Sequence, residues 1–248
     1  MYKGAILDFD GVLFPTSDYE KRVVEGSISN MLLKGLPTEF KDAVSKLMDI
    51  RKQDPNASDH FDQLCRFYGV DGNEQEIIEA GVAAYHGIRD RLVIPQEGTS
   101  DFLDFLVDNE FKSCIVTQGR RDKQLEKIER LGILDYFSFE KKDGKFVYVL
   151  EQTEDKEDGK RFLVSTAISD LEIDPQRSFV LDDRPYGIIA AKKAGIRYGF
   201  RMMQGKYINE DYEDTDERLK EDRKVKDFND VVNALMELEL SRSLLVHS

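Results

Sequence analysis

Four places in the chain could carry reaction chemistry, and each lies at the end of a predicted strand. The first is Asp8-Phe9-Asp10-Gly11, which follows the apolar stretch Tyr2 to Leu7. Two carboxylates two residues apart can serve one phosphoryl centre, one attacking and the other moving the proton of the leaving oxygen. A charged turn after a strand is the plain alternative. Gly11 would let the backbone turn sharply towards a ligand. The second place is Thr117-Gln118-Gly119, closing Ser113 to Val116. A hydroxyl and free N–H groups ahead of a helix suit phosphate oxygens, and a helix N-cap uses the same residue type. The third is Lys156, one lysine among many, whose charge could hold a carboxylate and a phosphate close together. The fourth is Asp182-Asp183 after Ser178 to Leu181. Adjacent acids at a strand end are costly to bring together unless they share a cation.

Such spots can cooperate only if the elements carrying them bring their ends together. Tyr2 to Leu7 reads as a short buried strand. Helices are expected from Ser17 to near Gly35, where Ser17 and Glu20 fit a capping box, then at Glu39–Lys52, Ser58–Tyr68 and Glu74–Arg91. From Ser100 on, helix and strand alternate. Strands are predicted at Lys112–Thr117, Ser178–Leu181 and Ile196–Phe200, and helices at Ser100–Asn109, Arg121–Leu131, Glu157–Leu171, Pro185–Ala194 and Asp227–Leu238. Lys142-Asp143-Gly144-Lys145 reads as a hairpin turn before the apolar run Phe146 to Val149. Asn209 to Asp227 reads as a solvated, charged segment, and Ser241 to Ser248 as a frayed end. Alternation of this kind implies an α/β fold, a parallel Rossmann-like sheet covered on both faces, with ligands at the carboxyl ends of its strands. The helical block interrupting it implies a second domain. The expected division is a core of residues 1–15 and 96–248 and a helical insert of residues 16–95.

Composition narrows the function. Hydrophobic residues make up 40% of 248 residues, enough for a buried core, and the net charge is -13. That charge argues against nucleic acid and against anionic membrane surfaces as partners. A small anionic substrate remains compatible, because a bound divalent cation makes a site locally positive. Cys65 and Cys114 suggest no disulfide framework, and His60, His86 and His247 lack metal-ligand spacing. No apolar run is long enough to span a bilayer, so a cytoplasmic location is expected.

Taken together, in order and spacing, the four spots resemble the haloacid dehalogenase-like hydrolase superfamily across nearly the whole chain. Ala5-Ile6-Leu7-Asp8-Phe9-Asp10-Gly11-Val12-Leu13 looks like its first motif, and Ile115-Val116-Thr117-Gln118-Gly119 like its second. Gln124-Leu125-Glu126-Lys127-Ile128, with Leu131-Gly132-Ile133, is similar to the next segment of the phosphoglycolate-phosphatase-like branch. Lys156 to Phe162 resembles the third motif, and Val180-Leu181-Asp182-Asp183 with Ala194-Gly195-Ile196 the fourth. The helical insert sits where that branch carries its cap, which implies closure over the site.

The resemblance implies a Mg2+-dependent phosphatase acting on a small phosphorylated metabolite. Asp8 would become an aspartyl phosphate, and Asp10 would protonate the leaving group and then activate water. Thr117, Gln118 and Lys156 would bind the phosphoryl group. Asp8, the carbonyl of Asp10, and Asp182 would hold the metal. There are two departures. Gly187 stands where the fourth motif often has a further acid, so Asp183 would supply that carboxylate. Glu157 stands where proline usually follows the lysine, and Lys160 is a competing position for it. The expectation is that Lys156 outweighs Lys160 and that Asp182 outweighs Asp183. A phosphosugar mutase, or a weakly catalytic regulatory protein, would use the same scaffold.

Overall fold

A computed structural model describes residues 3–54, 57–137, 146–151, 155–212 and 215–246. It divides into two units, residues 1–16 with 94–248 and residues 17–93. The larger is the α/β unit. Strands β1 (Lys3–Leu7), β2 (Phe111–Gln118), β3 (Val147–Leu150), β4 (Phe179–Asp182), β5 (Tyr198–Met202) and β6 (Arg223–Val225) form one sheet in the order β3-β2-β1-β4-β5-β6. Every pairing is parallel. On β1, Ile6 and Leu7 point to opposite faces, and both are buried. That is why the strand reads as a continuous apolar run rather than an alternating one.

The chain leaves β1 for β2 on one side and later returns to β4 on the other. β1 therefore lies between its two partners, with Leu7 level with both Ile115 and Leu181. The carboxyl ends of these three strands form the crevice where an open α/β sheet binds ligands.

Helices α5 (Thr99–Asp108), α6 (Arg121–Arg130), α7 (Lys156–Leu171), α8 (Pro185–Lys193) and α9 (Phe228–Val246) complete this unit. Asp155 caps α7, its side chain accepting from Asp158 N. Pro185 opens α8, where its missing N–H costs nothing. The smaller unit is all-helical: α1 (Thr16–Leu33), α2 (Phe40–Gln53), α3 (His60–Phe67) and α4 (Glu74–Arg91). Its own core includes Ile28, Met31, Leu47, Leu64, Cys65 and Ile77.

Sequence reading missed β6. Its Arg223-Lys224-Val225 lies in the segment expected to be solvated, and only Val225 is buried. A three-residue edge strand needs little apolar patterning, and its charges discourage pairing with another chain. β5 lies two residues later than expected, and α9 runs past Leu238 to Val246, into the stretch expected to fray. The turn expected at Lys142 to Lys145 lies outside the described residues, and β3 pairs parallel with β2.

Candidate active site

Asp8 leaves the end of β1, and its N–H donates to Leu181 O at 2.9 Å. Its carboxylate is buried beside two other acids. One oxygen from each of Asp8, Asp182 and Asp183 can be chosen so that all lie within 4.8 Å of one another. No other acidic, histidine or cysteine cluster of this kind occurs among the described residues. Burial, with Asp182 nearby, pushes the Asp8 carboxyl up to about 7, against the opposing pull of Lys160.

The lysine that enters this cluster is Lys160. Its Nζ donates to Asp8 Oδ1 at 2.9 Å and to Asp182 Oδ2 at 2.5 Å. Burial alone would favour its neutral form, but Asp182 and Asp8 outweigh it and hold the ammonium well above its ordinary pKa. The structure places Lys156 elsewhere, exposed at the first position of α7. Against the expectation for Lys156, the lysine placed beside Asp8 is Lys160. The reason is helical phase: Lys160, Val164, Ala167 and Leu171 form the buried stripe of α7. A lysine in register with that stripe was the signal available in the sequence.

The two adjacent acids have different surroundings. Asp182 is spoken for by the protein: Oδ2 accepts from Lys160, and Oδ1 accepts from the Arg184 N–H at 2.9 Å. Asp183 is also buried, yet its Oδ1 has no hydrogen-bond partner among the described residues. Burial first, then Asp182 and Asp8, push its carboxyl up to about 9. A buried carboxylate oxygen without a donor, beside a second carboxylate, fits a cation with oxygen ligands. Two glycines make room here. A Cβ on Gly11, whose φ is +86°, would stand 2.2 Å from Asp183 Oδ2. A Cβ on Gly187 would stand 1.9 Å from Asp182 Oδ2, so any side chain there would require the Asp182 carboxylate to shift.

Asp10 stands at the rim. Its Oδ1 accepts from Lys127 Nζ at 2.7 Å and Thr16 Oγ1 at 2.9 Å, and its Oδ2 from Gln124 Nε2 at 2.7 Å. Burial works to raise this carboxyl, but Lys127, Gln124 and Thr16 together hold it below the usual carboxylate range. Thr117 is buried near the end of β2, and its Oγ1 accepts from Gln124 Nε2 at 3.2 Å. Gln118 is half-buried, with Oε1 accepting from Tyr186 Oη at 3.3 Å. The structure thus brings Asp8, Asp182 and Asp183 together with Lys160 and puts Asp10, Thr117 and Gln118 at the same sheet end. Gln124 and Lys127, assigned no role from sequence, also reach Asp10 from α6.

A parallel α/β unit that gathers three carboxylates at its strand ends offers a site for a cation and an anionic ligand, and comparison with known proteins supplies the family. The chain belongs to the haloacid dehalogenase-like hydrolase family, whose description matches residues 5–201. It is 29% identical to a glyceraldehyde 3-phosphate phosphatase of Pyrococcus abyssi, over 79% of this chain and 80% of that one. It is 30% identical to a protein of the same name from Methanopyrus kandleri, over 84% and 86% of the two chains. The fold is also that of a HAD family hydrolase from Deinococcus radiodurans solved with bound phosphate and sodium. Their TM-score is 0.61 at 17% identity, over 96% of this chain and 97% of that one.

Proposed function

We propose that the protein hydrolyses small phosphomonoester metabolites with magnesium, through an aspartyl phosphate on Asp8. It is a phosphoric monoester hydrolase. Asp8 attacks phosphorus, forming a new P–O bond as the ester P–O bond breaks, and Asp10, ionised at rest, takes up a proton from solvent and passes it to the leaving oxygen. Asp10 then takes a proton from the water that attacks the phosphoenzyme, which frees Asp8 and inorganic phosphate. Lys160 and the Thr117 hydroxyl bind the transferring phosphoryl oxygens, and Gln118 lines the approach.

Asp8, the Asp10 carbonyl and Asp183 would hold magnesium, with Asp182 serving chiefly to fix Lys160. When bound, the ion supplies positive charge that favours ionised Asp8 and offsets charge on the phosphoryl group. The observation that carries this reading is the Lys160 bridge between Asp8 and Asp182, with the unpartnered Asp183 oxygen beside it. Cys65 and Cys114 are free thiols, as suits a cytoplasmic protein, and no described helix is long and apolar enough to cross a membrane.

The names of the curated relatives make glyceraldehyde 3-phosphate the first metabolite to test, alongside an aryl phosphate. Phosphate release from either, with magnesium and lost on chelation, is the expected result. A protein that turns over no phosphomonoester in a metabolite screen is a regulatory protein on this scaffold instead. Transfer of phosphate to a second sugar hydroxyl, rather than to water, makes it a mutase.

A further inference from the structure

Gln124 and Lys127 are three residues apart on α6, so they share one face of that helix and both point to the sheet end that carries the site. Together they reach three site groups. Gln124 Nε2 lies 2.7 Å from Asp10 Oδ2, 3.2 Å from Thr117 Oγ1 and 2.8 Å from Gln118 O. Three acceptors around one nitrogen fix which end of the amide faces them. Gln124 is itself only 3% exposed. Lys127 Nζ lies 2.7 Å from Asp10 Oδ1 and about 5 Å from the ring centroids of Phe9 and Phe14 (5.1 and 5.3 Å). Those rings are stacked 5.7 Å apart, so the ammonium has an aromatic seat as well as a carboxylate.

We infer that Gln124 and Lys127 are a positioning pair that sets the rotamer of Asp10 and the hydroxyl direction of Thr117 for phosphoryl transfer. This rests on the hydrolase reading above. The geometry gives each a distinct task. Lys127 takes one carboxylate oxygen of Asp10 and Gln124 the other, so the side chain cannot rotate without breaking a charge-assisted bond. By donating to Thr117 Oγ1, Gln124 occupies an acceptor position of that hydroxyl and leaves its proton to point at a phosphoryl oxygen. Neither side chain has to touch substrate. A misdirected proton donor is penalised most when the leaving oxygen is basic, and a misdirected hydroxyl when phosphate must be held.

The experiment uses a series of aryl phosphates from p-nitrophenyl to p-methoxyphenyl phosphate, with inorganic phosphate as inhibitor. Lys127→Met keeps the apolar stem on Phe9 and Phe14, and Lys127→Gln is a second neutral variant should the first fold poorly. Either should lower kcat on the most basic leaving group at least about tenfold more than on p-nitrophenyl phosphate. KM should hold within about twofold, with most of the rate returned by Lys127→Arg. In an Asp10→Asn background the same change should have no further effect. Gln124→Leu should add a loss that Lys127→Met lacks: inhibition by inorganic phosphate weakened about tenfold. Equal losses across the series, a change in KM alone, or full additivity with Asp10→Asn overturns the positioning role. A wild type that turns over none of the series overturns the hydrolase reading and this inference with it. Wild-type turnover with an unaltered leaving-group dependence in the variants overturns the inference alone.

Discussion

Lys160 donates to Asp182 at 2.5 Å across 22 residues of sequence, and both side chains are almost wholly buried. The bond ties the first buried turn of α7 to the end of β4 and leaves the same ammonium free to reach Asp8 from the other side. A buried cation shared by two carboxylates is the electrostatic centre of the site, and several consequences can be measured.

Lys160→Ala should lower phosphatase activity by about 10²–10³-fold, the cost of losing one preorganised charge donor. Lys156→Ala should change it less than about twofold, since an exposed lysine removed from the site carries no such interaction. Lys160→Ala should also destabilise the fold by about 3–5 kcal/mol, because it leaves buried carboxylates unpaired. Rates with an aryl phosphate and urea unfolding of both variants decide it, and equal rate losses count against the assignment.

Magnesium titration should rank the two acids of β4. Asp183→Asn should weaken binding more than Asp182→Asn, the reverse of the sequence expectation, because Asp182 already spends its oxygens on Lys160 and Arg184. Asp182→Asn should instead lower kcat with a modest change in metal affinity. Thermal shift against magnesium concentration reads the affinity without relying on turnover. A larger affinity loss in Asp182→Asn returns that residue to the metal.

The two acids of the first motif should separate cleanly. Asp8→Asn should abolish phosphoryl transfer, because an amide is not a competent nucleophile here. Asp10→Asn keeps the nucleophile but loses the proton shuttle, so an aryl phosphate with an acidic leaving group should give a burst of phenol and then slow turnover. Acid-quenched protein should carry the label on Asp8. A burst from Asp8→Asn, or label on another residue, overturns the roles.

The metal-free protein should lose stability as pH rises. Asp8 and Asp183 have folded pKa values raised from 3.8 to about 7 and about 9, so between these limits the folded chain binds more protons than the unfolded one. Stability therefore falls as pH climbs through that window, the opposite of an ordinary salt-bridged carboxylate. Melting temperature in chelator should drop from pH 5 to pH 9, by about 2–4 °C for each kcal/mol lost. Saturating magnesium should flatten the profile at its alkaline end. A melting temperature in chelator that is constant or rising would falsify the claim.

Gly187→Ala should damage the protein even though it adds one carbon. The new Cβ would stand 1.9 Å from Asp182 Oδ2, displacing the carboxylate that holds Lys160. Overpacking of this kind costs about 1–3 kcal/mol, and kcat should fall with it. Wild-type stability and rate in Gly187→Ala would show that the acid has room to move.

The sequence by itself determined the parallel α/β class, the helical insert, and the placing of Asp8, Asp10, Thr117 and the paired acids at strand ends. These are legible because they are local. Buried parallel strands are continuous apolar runs, and a polar residue ending such a run is placed by the run itself. Tertiary structure decided that Lys160 meets Asp8: Lys156 and Lys160 are one turn apart, helical phase puts Lys160 with the apolar stripe of α7, and the packing of that stripe on the sheet carries its ammonium to a carboxylate 152 residues away. The same holds for Asp182 and Asp183, adjacent in sequence and set apart by partners from α7 and from the backbone of Arg184. It holds again for Gln124 and Lys127, whose contacts with Asp10 span 114 and 117 residues. Distances of that kind have no periodicity to betray them: they arise when separate elements pack, and their partners are read only in the folded chain.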